Sequence, residues 1–280
     1  MKSKGIAVPY VIWMAIFVVA PLLIIVFYAF TSQAGGFTLE NFSTMAQYTG
    51  VFGRSFLLAI IATFICLLIG YPLSYWLAQE SPAVRRVAMM LIMLPMWMNF
   101  LLRTYAWMSL LENTGLLNRF FEAIGLFNLI NGIFGTELEY FKMINTQGAV
   151  VLGMVYNFLP FMILPIYSVI VKLDHRLIEA ARDLGANSVQ VFRRVILPLS
   201  LPGVLSGITM VFVPSLTAFA IPDILGGGKV MLIGNIIEQE FSTSMNWHLG
   251  SGLSIALMIF VLISMIFTSS EEEGKERRVW

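Results

Sequence analysis

The 280-residue chain is 58% hydrophobic and only 12% charged, with a mean hydropathy of +0.83, whereas a soluble domain carries about a quarter of its residues charged. A formal net charge of +1 leaves no basic footprint for nucleic acid. The single cysteine, Cys66, sits in an apolar run, which excludes intrachain disulfides and cysteine-rich metal sites.

Six apolar runs reach the roughly 20 residues that a helix needs to cross a bilayer. They fall at 9–30, 55–78, 87–111, 147–171, 200–222 and 251–269. The first is too long for a signal-peptide core and has no small-residue cleavage pattern after it, so it is expected to be retained. The interruptions 31–54, 112–146 and 223–250 read as loops, leaving one transmembrane domain over 1–280. The fold class is therefore all-α and integral to the membrane.

Lys and Arg set the orientation. An N-terminus on the inside puts Lys2, Lys4, Arg85, Arg86, Lys172, Arg176, Arg182, Arg193, Arg194, Lys275, Arg277 and Arg278 on the cytoplasmic side. Only Arg54, Arg119, Lys142 and Lys229 remain outside, with Arg103 inside a span. Both termini and the segment 172–198 are then cytoplasmic.

The spans hold no Asp or Glu. Proton- or sodium-coupled carriers and membrane aspartyl proteases need such carboxylates. His175 and His248 fall on opposite sides, so they cannot share a metal, and no nucleophile–base pattern occurs. Neither catalysis nor a metal site is expected. The sequence "GGGKV", Gly226 to Val230, lacks the Ser/Thr after Lys and the preceding strand of a phosphate-binding loop, and reads as a turn.

Prolines 21, 72, 95, 160, 165, 202, 214 and 222 lie in the spans and suggest kinked helices around a path, although membrane helices carry extra proline in general. "LPMWMNFLLRTYAW" sets Trp97, Asn99, Arg103, Tyr105 and Trp107 in the outer half of the third span, with Asn99 and Arg103 on one helix face. These residues fit a solute pathway or an interfacial belt with Arg103 snorkelling outward. Tyr156 and Asn157 precede Pro160 in the fourth span, and Asp223 ends the fifth. Gly203 and Gly207 form a small-xxx-small pair that permits close helix contact, within the subunit or between subunits.

The cytoplasmic segment is specified more tightly than a solvated linker needs. Asp174 can cap "HRLIEAARDL" and Gly185 can end it. Leu177, Ala180, Ala181 and Leu184 fall on one side of that helix, with Glu179, Arg182 and Asp183 on the other. Asn187 and Gln190 form a capping box for a second helix, which Pro198 should close before the fifth span.

Glu179-Ala180-Ala181, Gly185 and Leu197-Pro198 match the pattern E-A-A-x3-G-x9-I-x-L-P, with Val195 in place of Ile. In this the chain resembles the permeases of ATP-driven ABC importers. "LIGYPLSYWLA", "LPMWMNFLLRTYAW", "LPFMILPIYSVIVKLD" and "DILGGGKVMLIGNII" occur in the order seen in PotB-type permeases of spermidine/putrescine importers. The resemblance implies a MetI-like six-helix fold in the bacterial inner membrane. It also implies a PotC-like second permease, a cytoplasmic ATPase dimer that holds ATP and Mg, and an extracellular polyamine-binding protein. In that family the EAA loop, here Glu179, Ala180, Ala181, Gly185, Leu197 and Pro198, couples to the ATPase. Trp97, Asn99, Arg103, Tyr105, Tyr156 and Asp223 are the pathway candidates. Another solute such as sulfate, iron or a phosphonate fits the same pattern. The missing carboxylates and the EAA loop speak against an ATPase-independent channel or carrier.

Overall fold

The computed structural model describes residues 4–276. Lys2, Arg277 and Arg278 of the inside cluster lie outside the described residues. Among the described residues, five helices are long and apolar enough to cross a membrane, and a sixth crossing follows if one sharply bent pair counts as a span.

The first span is α1 (Lys4–Met14) and α2 (Ala20–Ala29), joined by a π-helical turn at Ala15–Val19. Its residues from Val8 to Phe27 are almost all exposed. It leans on the body at its end, where Tyr28 packs on Trp247 and His248 and the His248 Nδ1–H donates to the Tyr28 carbonyl at 3.1 Å. A short helix, α3 (Glu40–Thr44), and a 3-10 turn lead into α4 (Thr49–Gln79). The helix that carries the second apolar run thus begins at Thr49, ahead of residue 55.

The third apolar run does not form one helix. Here α5 (Pro82–Met93) and a 3-10 turn at Leu94–Trp97 meet α6 (Phe100–Leu111) at a bend of 92°. Pro95 tightens the turn, Met98 and Asn99 are extended, and the Asn99 side chain accepts from Leu101 N at 2.8 Å and starts a new helix. The helix face expected to be shared by Asn99 and Arg103 therefore does not exist, because Asn99 is a cap. Residues 112–146, expected to be a loop, fold into α7 (Leu116–Ala123) and α8 (Leu126–Phe134).

Next come α9 (Gln147–Ile170), α10 (His175–Asp183) and α11 (Ser188–Val191). A π turn at Phe192–Ile196 runs into α12 (Leu197–Thr217). Pro198 therefore does not close the second surface helix. It sits inside a helix that runs on from Ser188 to Thr217, with the wider π turn at Phe192–Ile196 just ahead of it. The helix of the fifth apolar run ends at Thr217, because Ala218 is extended, and 220–222 belong to the next helix. The expected loop 223–250 instead holds α13 (Ala220–Gly226) and α14 (Ile233–Ser242), ahead of α15 (Trp247–Glu276). "GGGKV" is indeed a turn, with Gly227 and Gly228 both at positive φ.

The core is built on α9. Ser74 Oγ donates to the Ile163 carbonyl at 3.1 Å and Cys66 Sγ to the Val155 carbonyl at 3.8 Å. Both pairs are 89 residues apart, so α4 and α9 run parallel. In the opposite direction, Gly203 meets Pro165 and Ile166 while Gly207 meets Met162, so α12 is antiparallel to α9. A Cβ at Gly203 would lie 2.8 Å from the Pro165 carbonyl oxygen. This small-residue pair is consumed inside the subunit and is not available for dimerisation. Prolines 72, 160, 165, 202 and 214 lie inside α4, α9 and α12, which continue through them as single helices. The sharp breaks fall elsewhere, at 98–99 and 218–219.

Candidate functional site

Two regions carry the predicted residues, one at each end of α9. The first is the α10–α11 hairpin, held at the end of the bundle where α4 and α9 stop and α12 begins. Asp174 Oδ1 accepts from Arg176 N at 2.9 Å and starts α10. Gly185 ends it at φ +84°. Its N–H donates to the Arg182 carbonyl at 2.8 Å, and Ala186 N donates to the Ala181 carbonyl at 3.0 Å. These are the two hydrogen bonds of a Schellman stop, which needs a left-handed residue at its centre. Asn187 and Gln190 then exchange two bonds of 2.9 Å as a capping box. Each turn of the hairpin is fixed by its own residues.

The hairpin is tied to the spans through aromatic contacts. Phe192 meets Tyr71 and Tyr75 edge-on at 5.8 and 5.5 Å, and Tyr71 shares a 2.8 Å hydrogen bond with Ser200 in α12. Between hairpin and span ends lies a cavity of about 420 Å³ lined by Tyr75, Gln79, Ile178, Arg182 and Val191 among others. Arg182 thus shares this inner side with Ile178 and does not lie wholly opposite the apolar face. The outward side is uncovered. Leu177 is 49% exposed and Leu184 89%, with Val189, Glu179 and Ala180 also exposed and Ala181 half-buried. An apolar surface left in the open at a charged end of the molecule is a mark of a binding surface.

The second region is the junction of α6, α9 and α13 at the far end. Gly153 in α9 lets α13 approach so closely that a Cβ there would lie 2.9 Å from Ile221 Cγ2. Tyr156 meets Trp107 of α6 edge-on at 5.4 Å. Asn157 is buried; its Nδ2 donates to the Gly153 carbonyl at 2.8 Å, but its Oδ1 has no partner. Arg103 is half-buried, with Nε and Nη1 equally unpartnered. The geometry brings Tyr156 of α9 against Trp107 of α6, one turn along that helix from Arg103. It does not gather the rest, since Trp97 is 77% exposed at the bend and Tyr105 is half-exposed on α6.

Asp223 is exposed on α13 and lines a polar cavity of about 210 Å³ with Asn235, Glu238, Gln239 and Thr243. Asn235 holds this hairpin in place: its Nδ2 donates to the Phe219 carbonyl at 2.7 Å, and its Oδ1 accepts from Leu232 N. Ser55 of α4 accepts from Ile233 N at 2.8 Å. The sequence reading named Asp223 but missed Asn235 and Gln239, because 223–250 read as a loop. The helical spacing of Ile233, Ile236 and Ile237 was the signal that could have found them.

A family model described as "Binding-protein-dependent transport system inner membrane component" matches residues 70–270. The spermidine/putrescine transport system permease protein PotB of Haemophilus influenzae is 40% identical over 259 residues, covering 90% of this chain and 87% of the relative. PotB of Escherichia coli K12 is 37% identical over 262 residues, covering 91% and 92%. Among solved structures, a bacterial ABC transporter involved in the import of the acidic polysaccharide alginate has a chain that superposes with a TM-score of 0.74. That match covers 98% of this chain and 94% of the other at 17% identity. A chain of the MetNI methionine ABC transporter gives 0.59 at 17% identity, covering 83% and 98%. At that identity the two structures establish a common fold. With most of its length matched, this multi-pass bacterial inner-membrane protein belongs to the family of inner-membrane components of binding-protein-dependent transport systems.

Proposed function

We propose that the chain is one of two permease subunits of an ATP-driven polyamine importer, with both termini and the α10–α11 hairpin in the cytoplasm. The observation that carries this reading is the hairpin itself. It is locally rigid, locked to α4 and α12 through Phe192, Tyr71 and Ser200, and its outer face of Leu177, Ala180 and Leu184 is uncovered. Such a surface suits a groove on an ATPase dimer that binds ATP and Mg, and the exposed Glu179 carboxylate offers a contact for a basic residue there. A PotC-like permease would complete the pathway, and an extracellular binding protein would deliver the solute. The polyamine assignment rests on the relatives, which are named as spermidine/putrescine permeases, and on the acidic cavity of Asp223 and Glu238, whose sign suits a cation.

The experiment is complementation. The chain is expressed with its ATPase, second permease and binding protein in cells lacking polyamine uptake, and labelled spermidine and putrescine are followed. ATP-dependent accumulation of either supports the reading. Uptake of sulfate, iron or a phosphonate with no polyamine uptake would overturn the substrate assignment.

A further inference from the structure

At the far end of the bundle, α7 and α8 form a pair whose inner side is firmly held. Asn118 Nδ2 donates to the carbonyls of Glu112 and Phe141 at 3.1 and 3.0 Å, and its Oδ1 accepts from Phe141 N at 2.9 Å. Phe121 and Phe127 pack on the Phe141 ring at 5.7 and 5.2 Å. Leu117, Met143 and Ile144 join the core that includes Ala149 and Val150 at the start of α9. The pair therefore lies against the end of a membrane span.

Its other side is bare and mainly apolar, with the exposed Arg119 beside Leu116 and Phe120. Leu116, Phe120, Ile124, Leu129 and Ile133 are each between 56% and 68% exposed. Leu116 and Phe120 each stand two residues from the buried Asn118, which on a helix turns them about 160° away from it. No charged residue occurs from 123 to 136.

We infer that this row lies in the bilayer, and that α7–α8 is an interfacial anchor whose partner is the acyl–headgroup boundary of the membrane. Three observations select lipid over protein. The helix that precedes the row, α6, carries open leucines of its own at Leu101 and Leu102. Its members are large, whereas contacts between membrane helices favour small residues, as Gly203 and Gly207 show within this subunit. A soluble partner that came and went would leave five large apolar side chains in water between encounters, which solvated surfaces avoid. A lipid surface covers them continuously, as it does for amphipathic helices lying in the membrane plane. The consequence is mechanical: the α6–α9–α13 junction is pinned at membrane level by an element that crosses nothing. The inference rests on membrane embedding and not on the solute.

The test uses the whole importer in nanodiscs. On a Cys66→Ala background, nitroxide labels are placed at Leu129→Cys and Ile124→Cys, with Leu23→Cys in the first span and Glu137→Cys in an exposed loop as references. Since neither labelled side chain packs in the fold, both variants should assemble. The expected result is a ratio of oxygen to nickel-chelate accessibility matching that at Leu23 and several-fold above that at Glu137. A ratio like that at Glu137 would overturn the inference. So would a label shielded from both agents, which would place the row against another subunit. Shielding that appears only when the binding protein is added would also overturn it, because the row would then be a docking surface.

Discussion

The hairpin from Asp174 to Ile196 satisfies its polar backbone groups within itself and leaves the apolar groups of its outward face uncovered. Asp174, Gly185 and the Asn187–Gln190 pair close its helix ends, while Leu177, Leu184 and Val189 face outward. The α6–α9–α13 junction does the reverse. Its apolar surfaces are covered, with Ile221 and Leu225 fully buried, yet Asn157 Oδ1 and two nitrogens of Arg103 are buried without partners. A rigid body with an open apolar face suits a joint that must grip something and transmit its movement. Buried polar atoms without a protein partner suit a place that water or solute can enter.

The strongest way to break this contrast is to spoil the open face. Leu177→Glu with Leu184→Glu should abolish ATPase co-purification while leaving thermal stability unchanged, since burying each leucine at an interface is worth about 1.5–3 kcal/mol. If the ATPase still co-purifies at parental levels, the face is not where it binds. Within the bundle the opposite result is expected. Gly203→Leu drives a side chain into the Pro165 backbone carbonyl, and overpacking of this kind costs about 1–3 kcal/mol. It should lower the unfolding temperature in detergent and the yield of intact permease; unchanged stability would mean that α12 can slide on α9.

Gly185→Val sharpens the comparison. The left-handed conformation at φ +84° costs a residue with a Cβ about 1–2 kcal/mol. Nothing crowds the position, so the strain falls on the hairpin alone. Membrane insertion should be normal and ATP hydrolysis should lose its coupling to uptake. At the junction, Asn157→Leu should raise the unfolding temperature slightly, because an unsatisfied buried group carries a penalty of about 1–3 kcal/mol, yet it should slow uptake. A stabler protein with full uptake would make Asn157 a packing residue only. The smallest effect is expected from Asp223→Asn with Glu238→Gln. Uptake should fall modestly at low ionic strength, with the difference fading as salt shortens the screening length to about 8 Å near physiological strength.

The hairpin was legible because its structure is local. Asp174, Gly185, Asn187 and Gln190 act on backbone within a few residues of themselves, and their spacing is visible in the chain. The junction was not, because apolar periodicity does not reveal where a run turns. Asn99 is a strong helix-start residue four positions after Pro95, yet inside a long apolar run it read as a polar residue on a helix face. Likewise, α13 and α14 form a buried hairpin through Ser55 and Asn145, residues remote in sequence. The Asn145 N–H donates to the Leu225 carbonyl at 2.9 Å, and Ser55 is 178 residues from Ile233. No local pattern announces either contact. Gly203 and Gly207 were legible as a close-contact pair, but only the α9–α12 register showed which helix they meet.

The central claim is that the open face of α10 is the joint between this permease and its ATPase. It is tested most directly by placing a photo-crosslinking amino acid at Leu184 in the assembled, transport-competent importer. The account predicts an adduct between this chain and the ATPase, formed before and after ATP addition. Adducts with lipid alone, or none with the ATPase while uptake proceeds normally, would contradict it.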